Sequence, residues 1–191
     1  MRKFISILLA VLLLTLTACT SSNASTTGQP TEEETTVSSI HSANEYNVSA
    51  DEYLMRLTDA FAQNNTNFKA KIDTDAIKTI NIFIYDDNDV YAIIRFLDAE
   101  ATVMTGDPNT ELIASGIICA FTTTNSAYTE AIMSSVIEAS NNSISTQEVS
   151  KIVANIQNEK YMEVGDLNYL WGKVESFKCL VLGFDVVSTM Q

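Results

Sequence analysis

Three places in this chain group side chains that could act on a ligand. Asp86, Asp87 and Asp89 offer hard oxygen donors close together, the kind of set a calcium ion takes. The EF-hand pattern is absent around them, and a tight hairpin turn accounts for the same residues. Thr122, Thr123, Thr124 and Asn125 lead into a helical stretch. Hydroxyls and free amides at a helix start can hold an anion, and ordinary capping by Thr124 or Asn125 uses the same groups. Tyr169 and Trp171 lie two apart and share one side of a strand. Exposed, they would make a stacking platform for a sugar or peptide; inside, they are core.

Other chemistry is excluded by composition. Nucleophilic triads and Cys-His pairs need an imidazole, and the only histidine is His41, in a stretch expected to be a disordered tether. Histidine-based zinc sites fall with it. The chain has 6 glycines, with no G-x-x-x-x-G-K and no G-x-G-x-x-G to cradle a phosphate. A carboxylate-pair hydrolase stays open, because the separation it needs, about 5–9.5 Å, is a spatial condition. No catalytic residue, cofactor site or metal site is assigned on these grounds.

The elements that would position these groups are legible in outline. Ser49 and Glu52 have capping-box spacing, with Val48 and Tyr53 placed as a hydrophobic staple. Leu54, Leu57 and Phe61 then recur at helical spacing, and Asn64-Asn65 ends the run. Ser145 and Glu148 repeat this grammar, with Ile144 and Val149 as the staple and Ile152, Val153 and Ile156 as the stripe. Between them a helix over 126–140 carries Ile132, Met133, Val136 and Ile137. Strands are expected in TINIFIY, VYAIIRFLD, EATVMT and one long run ELIASGIICAF, then in KYMEV, LNYLWGKVE and FKCLVLGFDVV. The spacing predicts an α+β fold, an antiparallel sheet with about three helices packed on one face. Helix-then-strands occurs twice, which admits a diverged internal duplication.

The N-terminus reads differently. Arg2 and Lys3 precede an apolar segment from Phe4 to Ala18, the pattern of a secretory signal peptide and shorter than the roughly 20 apolar residues of a membrane span. It ends Leu16-Thr17-Ala18-Cys19: an aliphatic residue, two small ones and a cysteine. This resembles the lipobox of bacterial lipoproteins. The resemblance covers only the first twenty or so residues. It implies that residues 1–18 are removed and that Cys19, carrying a diacylglycerol thioether, becomes the acylated N-terminus. Each buried CH₂ contributes about 0.8 kcal/mol and one chain holds only marginally, so two chains give a stable anchor.

Residues 19–45 are expected to form a disordered tether. Almost half are Ser or Thr, and large apolar residues are nearly absent, so ordering would bury too little to offset its entropy. Its span is roughly 30 Å, taking about 5–6 Å times the square root of its length. Residues 46–191 are expected to be a single α+β domain, long enough to bury roughly 68–70% of its unfolded surface.

Without Arg2 and Lys3 the 11 basic residues fall to 9 against 24 acidic ones, a net charge of −15. That argues against nucleic acid, which requires a basic footprint, and against lying on anionic lipid. Cys119 and Cys179 sit in the apolar runs GIICAF and FKCLVL and read as buried thiols packing as small hydrophobes, although a place outside the membrane permits a disulfide.

The function expected from these features is a lipid-anchored extracytoplasmic envelope protein, held to the membrane through Cys19. Its domain is expected to be a non-catalytic module for a protein or glycan partner. A secreted carboxylate-dependent hydrolase and an envelope assembly factor are the alternatives. Replacing the acylated side chain tests the anchor: Cys19→Ser should leave uncleaved precursor with no incorporated fatty acid. Normal processing and membrane retention of that variant would overturn the lipobox reading.

Overall fold

The computed structural model describes residues 41–42, 45–74, 79–87, 89–97, 108, 111–141, 143–174 and 176–183, all within one compact unit, Ser39–Gln191. The apolar N-terminal segment, Cys19 and the tether up to residue 40 lie outside the described residues. So do EATVMT and the end of the last expected strand.

The elements in chain order are β1 (His41–Ser42), β2 (Glu45–Ser49), α1 (Ala50–Gln63), β3 (Lys69–Thr74), β4 (Ile80–Asp86), β5 (Asp89–Leu97), β6 (Glu111–Ala114) and β7 (Gly116–Phe121). Then follow α2 (Ser126–Ser140), α3 (Thr146–Glu159), β8 (Tyr161–Val164), β9 (Leu167–Val174) and β10 (Phe177–Gly183). Seven strands form an antiparallel sheet in the order β3-β4-β5-β7-β10-β9-β8, and β1-β2-β6 form a small second sheet. The fold is α+β, with three helices on one face of the large sheet.

The helix starts follow from their caps. Ser49 Oγ accepts from Glu52 N at 3.1 Å, as its position requires. The expected capping box does not close here: the Glu52 carboxylate takes Arg56 Nη2 at 2.7 Å, an i,i+4 pair, instead of returning to the cap. The second box closes fully. Glu148 N donates to Ser145 Oγ at 3.3 Å, and Ser145 N donates to Glu148 Oε2 at 3.0 Å. The middle helix is capped by Asn125, whose Oδ1 accepts from Ala127 N and Tyr128 N. Helix α1 stops where Asn65 turns left-handed, at φ 50°. Thr66 N then reaches Phe61 O at 3.0 Å and Asn65 N reaches Ala62 O at 3.2 Å, a Schellman closure with Asn in the glycine role.

These helices cover one face. Tyr53, Leu57 and Phe61 of α1, Ile132, Met133 and Val136 of α2, and Val149, Ile152 and Ile156 of α3 join a single buried cluster. The sheet supplies alternate residues to it: Ile82 and Ile84 of β4, Ile94 and Phe96 of β5, Ile117 and Cys119 of β7, Leu180 and Leu182 of β10. Helix α2 lies between α1 and α3 and is buried along its length. Its Ser135 and Ser140 are small enough for close approach and return their hydroxyls to Ala131 O and Val136 O. The Tyr53 phenol reaches Ser140 Oγ at 3.0 Å, so the buried ring keeps a partner.

The opposite face of the sheet carries Ile93, Ile118, Ala120, Cys179 and Val181, which are buried as well. Arg95 lies among them, its Nε bonded to Asn81 Oδ1 at 3.2 Å.

Several boundaries differ from the sequence reading. Glu111–Phe121 is not one strand. Beyond Gly116 its neighbour β5 has ended at Leu97, so the preceding residues find their ladder on β2 instead. Ser115 marks the change, its N–H on Leu97 O at 3.1 Å. The tether was expected to extend to residue 45, but strand pairing begins at His41–Ser42, which add to the edge of β2. His41 therefore sits in a strand. Strand β3 was not foreseen: charged Lys69, Lys71 and Asp73 alternate with Ala70 and Ile72, as befits a sheet edge.

The helix-then-strands order does occur twice, as α1-β3-β4-β5 and α3-β8-β9-β10. The two arms run inward from opposite edges. Every neighbouring pair in this seven-stranded sheet is antiparallel, so outer strands β3 and β8 point the same way. A rotation that kept the helices on one face would reverse one of them. The arms share a grammar without being superposable.

The two domain cysteines are neighbours in register, Cys119 opposite Leu180 and Cys179 opposite Ala120. Alternation sends Cys119 to the helix side and Cys179 to the other, back to back through the sheet. Both are buried, and no disulfide joins them. Burial, with Cys179 nearby, pushes the Cys119 thiol well above its usual range.

Two measurements check this account. Ser145→Ala should cost about 1 kcal/mol of stability. Its loss should also flatten the acid limb: hydrogen bonds from Ser145 hold the Glu148 carboxyl below its usual 4.5. A carboxyl lowered in the folded state contributes stability that is present above the unfolded pKa and lost as pH falls through the folded one. Chemical denaturation from pH 7 down to pH 3 reads both effects. Thiol titration of the mature chain under non-reducing conditions should show Cys119 and Cys179 unreactive when folded and both reactive when unfolded; a Cys119–Cys179 disulfide would contradict the register.

Candidate interaction site

Strand β5 contains one residue too many for its partner. Ile84 pairs with Ala92 and Tyr85 with Val90, which leaves Tyr91 as a bulge. Bulges re-aim side chains. Here Tyr91 joins the helix side of the sheet, where it packs against the edge of the buried cluster. It meets Phe68, from the link between α1 and β3, and Tyr128, from the first turn of α2. The three rings touch edge to face: centroids lie 5.8 Å apart for Phe68–Tyr91, 5.5 Å for Phe68–Tyr128 and 5.2 Å for Tyr91–Tyr128. Phe61, 5.9 Å from Phe68, ties the trio to the core. Tyr128 is 38% exposed, and Phe68 and Tyr91 are partly exposed.

Two of the places singled out by sequence meet at this cluster. The first is the β4–β5 hairpin. Asp86 pairs with Asp89 across it, and Asp87 takes a left-handed turn at φ 50°. Burial raises the Tyr91 phenol above its usual value, and the charges of Asp89, Asp86 and Asp87 push it further the same way. Those carboxylates therefore stand within electrostatic reach of Tyr91. No ion pair engages them among the described residues, where the one salt bridge is Arg56–Glu52. Nor do three His, Cys, Asp or Glu side chains converge on a metal position among the described residues.

The second is Thr122–Asn125. Asn125 Oδ1 takes the free amides at the start of α2, the groups an anion would have needed. Asn125 N donates in turn to Thr123 Oγ1 at 3.1 Å. Thr122 stitches the end of β7 to the bulge: its N–H donates to Tyr91 O at 2.9 Å and its hydroxyl to Val90 O. These residues position the aromatic cluster.

Tyr169 and Trp171 do not form a platform. Tyr169 is fully buried, its phenol pushed up to about 12 by burial. Trp171 is partly buried and meets Phe121 at 5.5 Å, edge to face. Alternation does place both on one side, the helix side.

A cleft of about 220 Å³ lies between the helices, lined among others by Arg56, Asp59, Glu138 and Asn141. It is small beside ordinary ligand pockets of about 300–1,000 Å³. Its polar groups are already engaged: Asn64 Nδ2 at the end of α1 donates to Glu138 Oε2 of α2 at 2.8 Å, and Arg56 is bound to Glu52 within α1.

Phe68, Tyr91 and Tyr128 were not singled out by sequence, because they come from three separate elements. Two signals did exist. Tyr128 continues the α2 stripe one turn ahead of Ile132, past the expected core. Tyr91 sits in VYAII, where strict alternation gives no face to two consecutive large residues. No family model, no curated protein and no solved structure matches this chain.

Proposed function

We propose that this chain is a lipid-anchored extracytoplasmic binding domain without catalytic activity, and that the Phe68–Tyr91–Tyr128 cluster is its contact surface. The observation that carries this reading is the bulge. It gives up a ladder position to bring Tyr91 onto a partly exposed aromatic patch, on a hairpin whose carboxylates make no ion pair among the described residues. Rigid aromatic side chains offer contact area at low entropic cost, which suits a recognition surface.

The anchor supports the same reading. The N-terminal resemblance implies a diacylated Cys19, and the Ser/Thr-rich composition that follows implies a tether spanning roughly 30 Å. A partner in the same envelope then meets the domain at high effective concentration, so a small patch of weak contacts suffices. The partner is a protein or glycan of the envelope. The strongly acidic mature chain disfavours nucleic acid.

Site-specific photo-crosslinking in intact cells tests the surface, using the full chain with its signal peptide. A crosslinker replacing Tyr128 should capture a defined species, and one replacing Met55, which is 65% exposed on α1, should not. Capture should disappear when Tyr91→Ala is combined with the crosslinker at 128. Equal labelling from both positions, or none from position 128, would remove the cluster as the contact surface.

A further inference from the structure

Resting on that reading, we infer that the aromatic cluster takes an arginine-bearing basic segment of a partner protein, stacked on Tyr128 and paired with the carboxylates of the β4–β5 hairpin.

Ring geometry narrows the ligand first. Centroids 5.2–5.8 Å apart leave the three rings closed on one another. A caged cation such as a quaternary ammonium needs aromatic walls standing around it, and here there is no room between them. A ligand must lie on the outside of the cluster, against the exposed part of Tyr128.

Charge narrows it next. Asp86, Asp87 and Asp89 lie on the hairpin that leads into Tyr91, without an ion pair among the described residues. They belong to a mature chain of net charge −15. An anionic partner would be repelled at this surface, and a neutral one would leave the carboxylates unused.

Chemistry then chooses between the two basic side chains. A guanidinium is flat and weakly hydrated. It can lie on a tyrosine ring and still direct its fork of N–H groups at a carboxylate. An ammonium is a strongly hydrated point charge that satisfies the carboxylate or the ring, with less gained from both together. Asp89 lies two residues before Tyr91, and the Tyr91 ring touches Tyr128, so a segment passing from the hairpin to the exposed ring meets both kinds of group, and arginine serves both better than lysine. One exposed contact of this kind is weak, so the partner is a segment with several basic residues, and the tether's effective concentration does the rest.

The test uses the full acylated chain in neutral detergent micelles at physiological salt. Capped peptides carrying four arginines, four lysines or four glutamines are titrated against it by calorimetry. The arginine peptide should bind at least about threefold more tightly than the lysine peptide, and the glutamine peptide should not bind. Tyr128→Ala, and separately the pair Asp87→Asn with Asp89→Asn, should each weaken the arginine peptide about three- to tenfold, the range of a surface cation–π or charged contact. Tyr128→Phe should restore binding. Glu159→Gln with Asp166→Asn, equal in charge but away from the site, should leave it unchanged. Asp87 and Asp89 are exposed, which keeps the test valid if Tyr128→Ala disturbs the helix start.

Equal affinity for arginine and lysine, or equal loss with the distant pair, would reduce the effect to net charge and overturn the inference. So would binding of a neutral N-acetylglucosamine oligomer that Tyr128→Ala abolishes and the aspartate pair leaves intact; that outcome would assign the surface to a glycan. Failure of every peptide, with the position-128 crosslink intact, would discard arginine while leaving the cluster as the contact surface.

Discussion

One row of side chains holds this fold in register. Ile72, Ile82, Ile94, Cys119, Leu180 and Trp171 stand opposite one another across β3, β4, β5, β7, β10 and β9, all on the helix side. A slip of one residue at any of these pairings would turn a buried side chain to the other face. The row gives α2 its floor, and α2 in turn fixes where Tyr128 stands. The bulge at Tyr91 lies three residues from Ile94 of this row, at the point where β5 no longer has to keep strict alternation with β4. The aromatic cluster and the core are thus set by the same register.

Local signals in the sequence fared well where the physics is local. Caps and staples are short-range, so Ser49, Ser145 and the 126–140 helix could be read from composition and spacing alone. The α1 box shows the limit: Glu52 has the right spacing, yet its carboxylate goes to Arg56 four residues on, a competition the box pattern does not represent. The break at Ser115 depends on where β5 ends, and β2 found its partner only in three dimensions. Strand β3 is a charged edge whose apolar residues are just Ala70 and Ile72, too thin a signal beside TINIFIY.

The proposed contact surface was half legible for the same reason. The hairpin carboxylates and the start of α2 are local features, visible as a turn and a cap. What joins them is a bulge and a linker aromatic, Phe68, whose neighbours are distant in sequence. Tyr169 and Trp171 went the other way. Their shared face was correctly read, but burial depends on the helices above, and no pattern within LNYLWGKVE reports that.

The position of β7 has a consequence for how the molecule is made. Every residue of Gly116–Phe121 is buried, and the strand lies between β5 and the last strand, β10. A chain delivered from its N-terminus completes one side of β7 early and leaves the other as a bare, uncharged ladder edge until β10 arrives. Such an edge is the most aggregation-prone surface a nascent domain can show. Assembly is therefore gated by its C-terminal arm, and any holding factor met during synthesis or transport has one obvious surface to cover: the open flank of GIICAF.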